Sequence, residues 1–394
     1  MTLELSKLSG QVQAMGQEMA VRDREYAEQV VRAQGWLTEY AEQAQQLGEI
    51  IRESSYSAAI PTGEPVDSQT ALPPVPERFT FIAADGTEIQ PDSHDIAFYY
   101  LINVGALVYR HGSGQTPEAY SLPTIGYSES DIYEEGVPVT GNLLDIKRDI
   151  AEITCLADLC ASEPRDATTV AVVDGTLILW TLQNTPPAYQ AQKTQAYLQQ
   201  FDRMREAGAA VAACISRPRR SEVAKLLYLA HLGGDIDQAK NPRDPEGERM
   251  KRVPDYAIFE TLPPGARSAL FISPSKTNET YYRTRGHTVH FFYLNLAEEE
   301  KRPAIVRIEV PAWIADSADD LRLVHGSLVA QARIAGDYPY ALIRADELAF
   351  ISTKERDAFE NMITSSLVRA GVPAALSPKK YYKTLTRRGK RKFR

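Results

Sequence analysis

The 394-residue chain has only three cysteines and six histidines. Cys155, Cys160 and Cys214 lie in apolar surroundings without metal-type spacing, and their odd number argues against a disulfide framework, so they read as core residues. No two histidines form a ligand pair on a helix, and His287 and His290 on an apolar strand read as structural. There is no run of eighteen apolar residues, which excludes a membrane helix by hydropathy. The first residues lack a basic segment followed by an apolar one, so no secretory leader is expected and the cytoplasm is the expected place. With 43% apolar and 24% charged residues, the chain can bury a core of one large or two ordinary domains.

Negative charge is missing from one stretch. The formal net charge is -8, yet Lys379 to Arg394 holds nine basic residues and no acidic one, which leaves 35 basic against 52 acidic residues elsewhere. A cationic tail on an anionic body suits a polyanion better than the net charge suggests.

Residues 1–55 contain no proline, and Leu5, Leu8, Val12, Met15, Met19, Tyr26, Ala33, Trp36, Tyr40, Leu47 and Ile50 follow a three-four spacing. This predicts a helical or coiled-coil arm. Gly10, Gly16, Gly35 and Gly48 weaken it, so a bent helical pair serving dimerisation is expected. Residues 56–77 carry Pro61, Pro65, Pro73, Pro74 and Pro76 and read as a linker. A globular domain over 78–372 and a basic tail over 373–394 complete the division.

Within that domain, Ala84-Asp85-Gly86-Thr87 and Val173-Asp174-Gly175-Thr176 are near copies. Each follows an apolar β run, Phe79–Ala84 and Thr169–Val173, of the kind covered on both faces. Asp-Gly after a strand is also an ordinary turn signal. If the two carboxylates met at about 4 Å they would repel by roughly 4 kcal/mol, so the pair implies a divalent cation or a shared proton.

Further candidates follow from spacing. Residues 141–162 have helical periodicity, and Glu152 borders the apolar stripe of Ile146, Ile150 and Ile153. Ser216-Arg217-Pro218-Arg219-Arg220-Ser221 ends a strand and opens a helix, where three guanidiniums and backbone donors would suit phosphate. Residues 233–254 read as a mobile polar insertion. Past Tyr338-Pro339-Tyr340, a short helix places Asp346 between Leu342 and Phe350, where a carboxylate asks for a partner. Ser352 to Glu355 is a capping box for a last helix whose Phe359, Met362, Ile363 and Val368 are expected to pack inward.

Taken in order, Ala84-Asp85-Gly86-Thr87, Arg148 with Glu152, Val173-Asp174-Gly175-Thr176, Arg307-Ile308-Glu309-Val310-Pro311 and Tyr338-Pro339-Tyr340-Ala341-Leu342 resemble the NurA family of DNA end-processing nucleases. The resemblance covers roughly residues 78–372. It implies an α/β fold with an RNase H-like mixed sheet flanked by helices, and a Mn2+ (or Mg2+) dependent nuclease acting on single- and double-stranded DNA ends in double-strand break repair. It further implies 5′ to 3′ exonuclease and single-strand endonuclease activity, and a homodimer docked on a hexameric HerA-type ATPase, away from any membrane.

On the family pattern Asp85, Glu152 and Asp174 correspond to metal-binding, catalytic carboxylates. The fourth ligand is typically a histidine in the helix after the Tyr-Pro motif, and this chain has Asp346 there. The tail residues Lys379, Lys380, Arg387 and Arg388, with the Arg217, Arg219 and Arg220 loop, are expected to hold the nucleic-acid backbone without reading sequence. The rival expectation is a catalytically silent DNA-binding or scaffold subunit, which the change at Asp346 would permit.

Overall fold

The computed structural model describes residues 4–92, 97–183, 185–242, 245–298 and 301–372. In chain order the principal elements are α1 (Ser9–Glu39), β1 (Phe79–Ile89), β2 (Tyr100–His111), β3 (Glu118–Gly126), α2 (Asn142–Ser162), β4 (Thr169–Asp174), α3 (Pro187–Glu206), β5 (Ala209–Ser216), α4 (Glu222–His231), β6 (Val289–Asn295), β7 (Ile305–Pro311), α5 (Ala318–Ala335), α6 (Tyr340–Ala349) and α7 (Thr353–Arg369). The chain forms two compact units. The meander unit comprises residues 77–174, 179–209 and the chain from Tyr340; the arm unit comprises residues 1–76, 175–178 and 210–339. Among the described residues no helix is long and apolar enough to cross a membrane.

In the meander unit, β1 pairs antiparallel with β2, β2 pairs antiparallel with β3, and β4 lies parallel to β1 on its other side. Three meandering strands, a helix and a fourth strand returned parallel beside the first make an RNase H-like arrangement. Phe81, Ile82, Ala83 and Ala84 of β1 and Val170, Ala171 and Val172 of β4 are fully enclosed. Their uninterrupted apolar sequence fits strands covered on both faces. Each large side chain so enclosed contributes roughly 1.5–3 kcal/mol.

The covering elements are α2 and α6, both packed on β1 and β2. Gly105 of β2 stands opposite Asp85, and a Cβ there would overlap the backbone of α6 at Ala345 and Ala349. One residue along, a Cβ on Gly86 would overlap Glu152 of α2. Because successive residues of a strand face opposite ways, the two helices cover opposite faces of the sheet. β2 runs straight through Gly105, and the missing side chain there admits a helix.

In the arm unit, β7 lies between β5 and β6, antiparallel to both. The proline-rich stretch read as a linker is laid against this sheet. Ile60–Pro61 pairs with Phe271–Ile272, Gln69–Thr70 pairs with Arg267–Ser268, and Ala58, Ala59 and Val66 are buried. Proline is tolerated there because an edge strand does not need every N–H.

The arm helix α1 runs 31 residues through three of its glycines and breaks only near Tyr40 and Leu47. Its C-terminal part packs at home: Ala33 is enclosed, and Trp36 stacks on His231 with ring centroids 4.2 Å apart. Leu5, Val12, Met15 and Met19 are exposed. The stretch expected to be a mobile insertion instead forms helices Ile236–Lys240 and Pro245–Met250, because Ala239, Met250 and Val253 supply buried anchors. The predicted inward packing of α7 fails: its capping box forms, and the Phe359 ring meets Tyr99 edge-on, but the helix buries no residue and leaves Met362 and Val368 exposed.

Charge is also buried in this unit. The Arg307 guanidinium on β7 bonds Glu222 of α4 and, at 3.0 Å, Glu309 of β7, and all three side chains are enclosed. Asp255 accepts from the backbone N–H groups of Glu222, Val223 and Ala224 and from the Tyr293 hydroxyl. The three cysteines are buried, and none is in a disulfide.

Candidate active site

Register brings the two Asp-Gly motifs together. The parallel ladder of β1 and β4 ends with Ala84 beside Val173, so Asp85 and Asp174 are the next residues on adjacent strands. Asp85 is not at a strand tip, since β1 continues to Ile89, whereas Asp174 closes β4. The near copies therefore do different work. Gly175 has φ +109°, the left-handed region that glycine favours, and makes the turn. Gly86 is an ordinary extended residue whose lack of a side chain lets Glu152 and Arg148 come against β1; a Cβ would stand 2.8 Å from Arg148 Cγ.

Asp346 comes from the opposite face. Asn103 of β2 donates to the carbonyls of Leu348 and Ala349 at 3.1 and 2.9 Å, which caps α6 and fixes it over Gly105. Asp346 stands close enough to Asp85 for its charge to raise the Asp85 carboxyl. Of the three residues expected on one face of α6, Leu342 is enclosed, whereas Phe350 and Asp346 are exposed. The partner of Asp346 is another acid at an open edge.

Burial, together with the charges of Asp174 and Asp346, pushes the Asp85 carboxyl up to about 6. Glu152 is enclosed on α2, and burial, with Asp149, Asp85 and Asp174 near, raises it well above the usual range despite Arg148. Asp149 is likewise raised by burial. The structure thus groups the four acids Asp85, Glu152, Asp174 and Asp346 electrostatically within one unit.

Among the described residues, no three His, Cys, Asp or Glu side chains stand as they are in a grouping that would hold a metal ion. The donor set nevertheless fits a hard divalent cation in kind. It offers only carboxylate oxygens, from two strands and two helices, and it carries more negative charge than it can keep without a proton. Among the described residues no histidine takes part; His287 accepts from Trp313 Nε1 at 3.3 Å, and His290 contacts the Thr288 carbonyl.

Sequence reasoning missed three neighbours of these acids. Arg148 Nη1 donates to Glu88 at 2.9 Å and Nη2 to Asp149 at 3.1 Å, while Nε lies 3.2 Å from Glu152 Oε1. Thr181 donates to Asp149 at 3.2 Å. Glu88, three residues after Asp85, and Asp149, beside Arg148, were visible only as ordinary charges.

The arginine loop lies in the arm unit. Arg217, Arg219 and Arg220 are exposed, and Arg220 Nη1 is 3.8 Å from Glu222. Arg217 has φ +48°, an uncommon backbone for a residue with a side chain. The backbone donors expected to help bind phosphate at the start of α4 are taken by Asp255. Lys379, Lys380, Arg387 and Arg388 lie outside the described residues.

Comparison with known proteins bears on this arrangement. The chain resembles the crystal structure of the NurA nuclease from Sulfolobus solfataricus at 14% identity, over 90% of this chain and 98% of that one, with a TM-score of 0.45. It also resembles the catalytic domain of human Endonuclease V at 10% identity, over 82% of this chain and 98% of that one, with a TM-score of 0.32. No curated protein matches. The family model of the NurA domain matches residues 79–351, which takes in all four acids. The chain belongs to the NurA domain family of nucleases.

Proposed function

We propose that the chain is a divalent-metal-dependent DNA nuclease that processes single- and double-stranded DNA ends, as a 5′ to 3′ exonuclease and single-strand endonuclease, in double-strand break repair. The observation that carries the reading is the convergence of Asp85, Glu152, Asp174 and Asp346, drawn from β1, α2, β4 and α6 and too negative to be fully ionised unaided.

Asp85, Glu152, Asp174 and Asp346 would hold Mn2+ or Mg2+. Such an ion supplies a water of lowered pKa and positive charge at the leaving oxygen of a phosphodiester. The chain's own residues prepare the site. Asp85 gives up its proton above about pH 6. Glu152 is kept against β1 by the absence of a side chain at Gly86. Asn103 fixes the helix that carries Asp346. The exposed Arg217, Arg219 and Arg220 supply contacts to the nucleic-acid backbone that carry no sequence preference.

The same reading assigns a homodimer and a hexameric HerA-type ATPase as partners. It is supported by Leu5, Val12, Met15 and Met19, which the arm helix leaves exposed. Purified protein incubated with end-labelled linear DNA in Mn2+, Mg2+ or EDTA tests the function. Cleavage with a metal and none in EDTA is expected. DNA binding without cleavage under every condition would replace the nuclease by a silent scaffold subunit.

A further inference from the structure

One cation sits inside the acid cluster. Arg148 is on the same helix as Asp149 and Glu152, and it reaches Glu88 on β1. The helix gains less from this pair than from the reverse order, because in a four-residue pair the better order places the acid before the base, and here the base comes first. Its side chain is 27% exposed, so the guanidinium borders solvent.

Its grip on the three acids is unequal. Nη1 and Nη2 make aligned hydrogen bonds to Glu88 and Asp149. Nε is buried and close to Glu152, yet it is not aligned to hydrogen-bond with it. Glu152 is therefore held by charge alone and can be released without breaking a hydrogen bond.

We propose that Arg148 is the resident counter-cation of the site, anchored by Glu88 and Asp149, and that it lends its charge to Glu152 until a divalent cation takes that carboxylate. The inference rests on the metal-site reading above and deepens it. Arg148 is a positioning residue and a competitor at once: it keeps Glu152 turned toward β1 and lowers the affinity of the acid set for the ion. Glu88 becomes a holdback that keeps the guanidinium from committing fully to Glu152.

The two roles predict opposite effects on Mn2+ binding to the full-length protein, measured by titration calorimetry without DNA. Arg148→Gln removes the competing charge and should tighten Mn2+ binding by roughly tenfold, the size of a one-unit electrostatic change. The same variant should melt lower than wild type in EDTA and gain more from added Mn2+, by linkage. Glu88→Gln weakens the anchor, lets the guanidinium settle on Glu152, and should weaken Mn2+ binding. Arg148→Lys, which keeps the charge, should stay near wild type.

Opposite signs for Arg148→Gln and Glu88→Gln support the proposal, and changes of the same sign, or none, overturn it. If Arg148→Gln does not fold, the sign for Glu88→Gln and the match of Arg148→Lys to wild type decide. Wild type that binds no Mn2+, or binding that survives Glu152→Gln, would instead defeat the metal-site reading itself.

Discussion

The arm unit and the meander unit each bury carboxylates, and they treat them in opposite ways. In the arm unit Arg307 lies between Glu222 and Glu309, and Asp255 receives three backbone N–H groups and a tyrosine hydroxyl. Every one of those charges has a donor aimed at it. In the meander unit Arg148 is shared by three acids, and Asp85 meets a fourth, Asp346, acid to acid. A buried charge that serves the fold is paired, because breaking such a pair costs about 3–5 kcal/mol. A group of like charges left short of cations costs stability and is kept where a ligand supplies the balance.

That contrast can be broken most sharply by exchanging the readouts. Asp85→Asn and Asp174→Asn should each lower DNA cleavage by about a hundredfold or more, as loss of a ligand to a catalytic ion does, while the melting temperature in EDTA holds or rises. Cleavage that survives both changes would return the pair to ordinary strand and turn residues. Arg307→Met should do the reverse in the arm unit and lower unfolding stability by about 3–5 kcal/mol in urea titrations, because Glu222 and Glu309 are left buried without their cation. A loss under about 1 kcal/mol would mean that the network relaxes and the charges are not tightly coupled.

A smaller effect separates the units by pH. The Asp85 carboxyl is held at about 6 and the Asp255 carboxyl at about 7, both raised first by burial. Below those values the native state keeps protons that an unfolded carboxylate releases near pH 4. Each group therefore makes stability fall as pH rises through the window between about 4 and its own folded value. Melting curves in EDTA should show this fall, and Asp85→Asn should shrink the part between about pH 4 and 6 while leaving the part nearer 7. An unchanged profile would show that Asp85 carries no excess charge.

At Asp346 the expected change is one of preference. Asp346→His should move the activity ratio toward Mn2+ by about tenfold, since nitrogen donors suit it better than Mg2+, and Asp346→Ala should lower activity with both. Equal rates in all three proteins would place Asp346 outside the site. The smallest effect belongs to the tail: deleting residues 379–394 should reduce the slope of log K against log salt by about 0.9 for each duplex phosphate that the tail neutralises. An identical slope would remove the tail from the DNA interface.

Much of the meander unit was legible in the sequence. The unbroken apolar runs of β1 and β4 and the periodicity of α2 state which surfaces must be covered, because strand and helix periods are local properties. The arginines of the 217–220 loop were legible as a charge cluster. That the start of α4 is closed to phosphate was not, because its cap, Asp255, lies more than thirty residues further on. The inward packing expected of Met362 and Val368 failed for a related reason: an apolar stripe says that a face could be covered, and not whether anything arrives to cover it.

The sequence by itself determined the acids, the order of the motifs and the strands that carry Asp85 and Asp174, since each is written in a few consecutive residues. Tertiary structure alone decided what the two glycines do. Gly175 turns the chain, whereas Gly86 stays extended and clears space for a helix residue 66 positions away. It also decided that Asp346 faces Asp85, through a helix seated on the missing side chain of Gly105. Close approach between distant segments depends on the register of paired strands and on which atoms are absent where they meet, and neither is encoded in the local period of the chain.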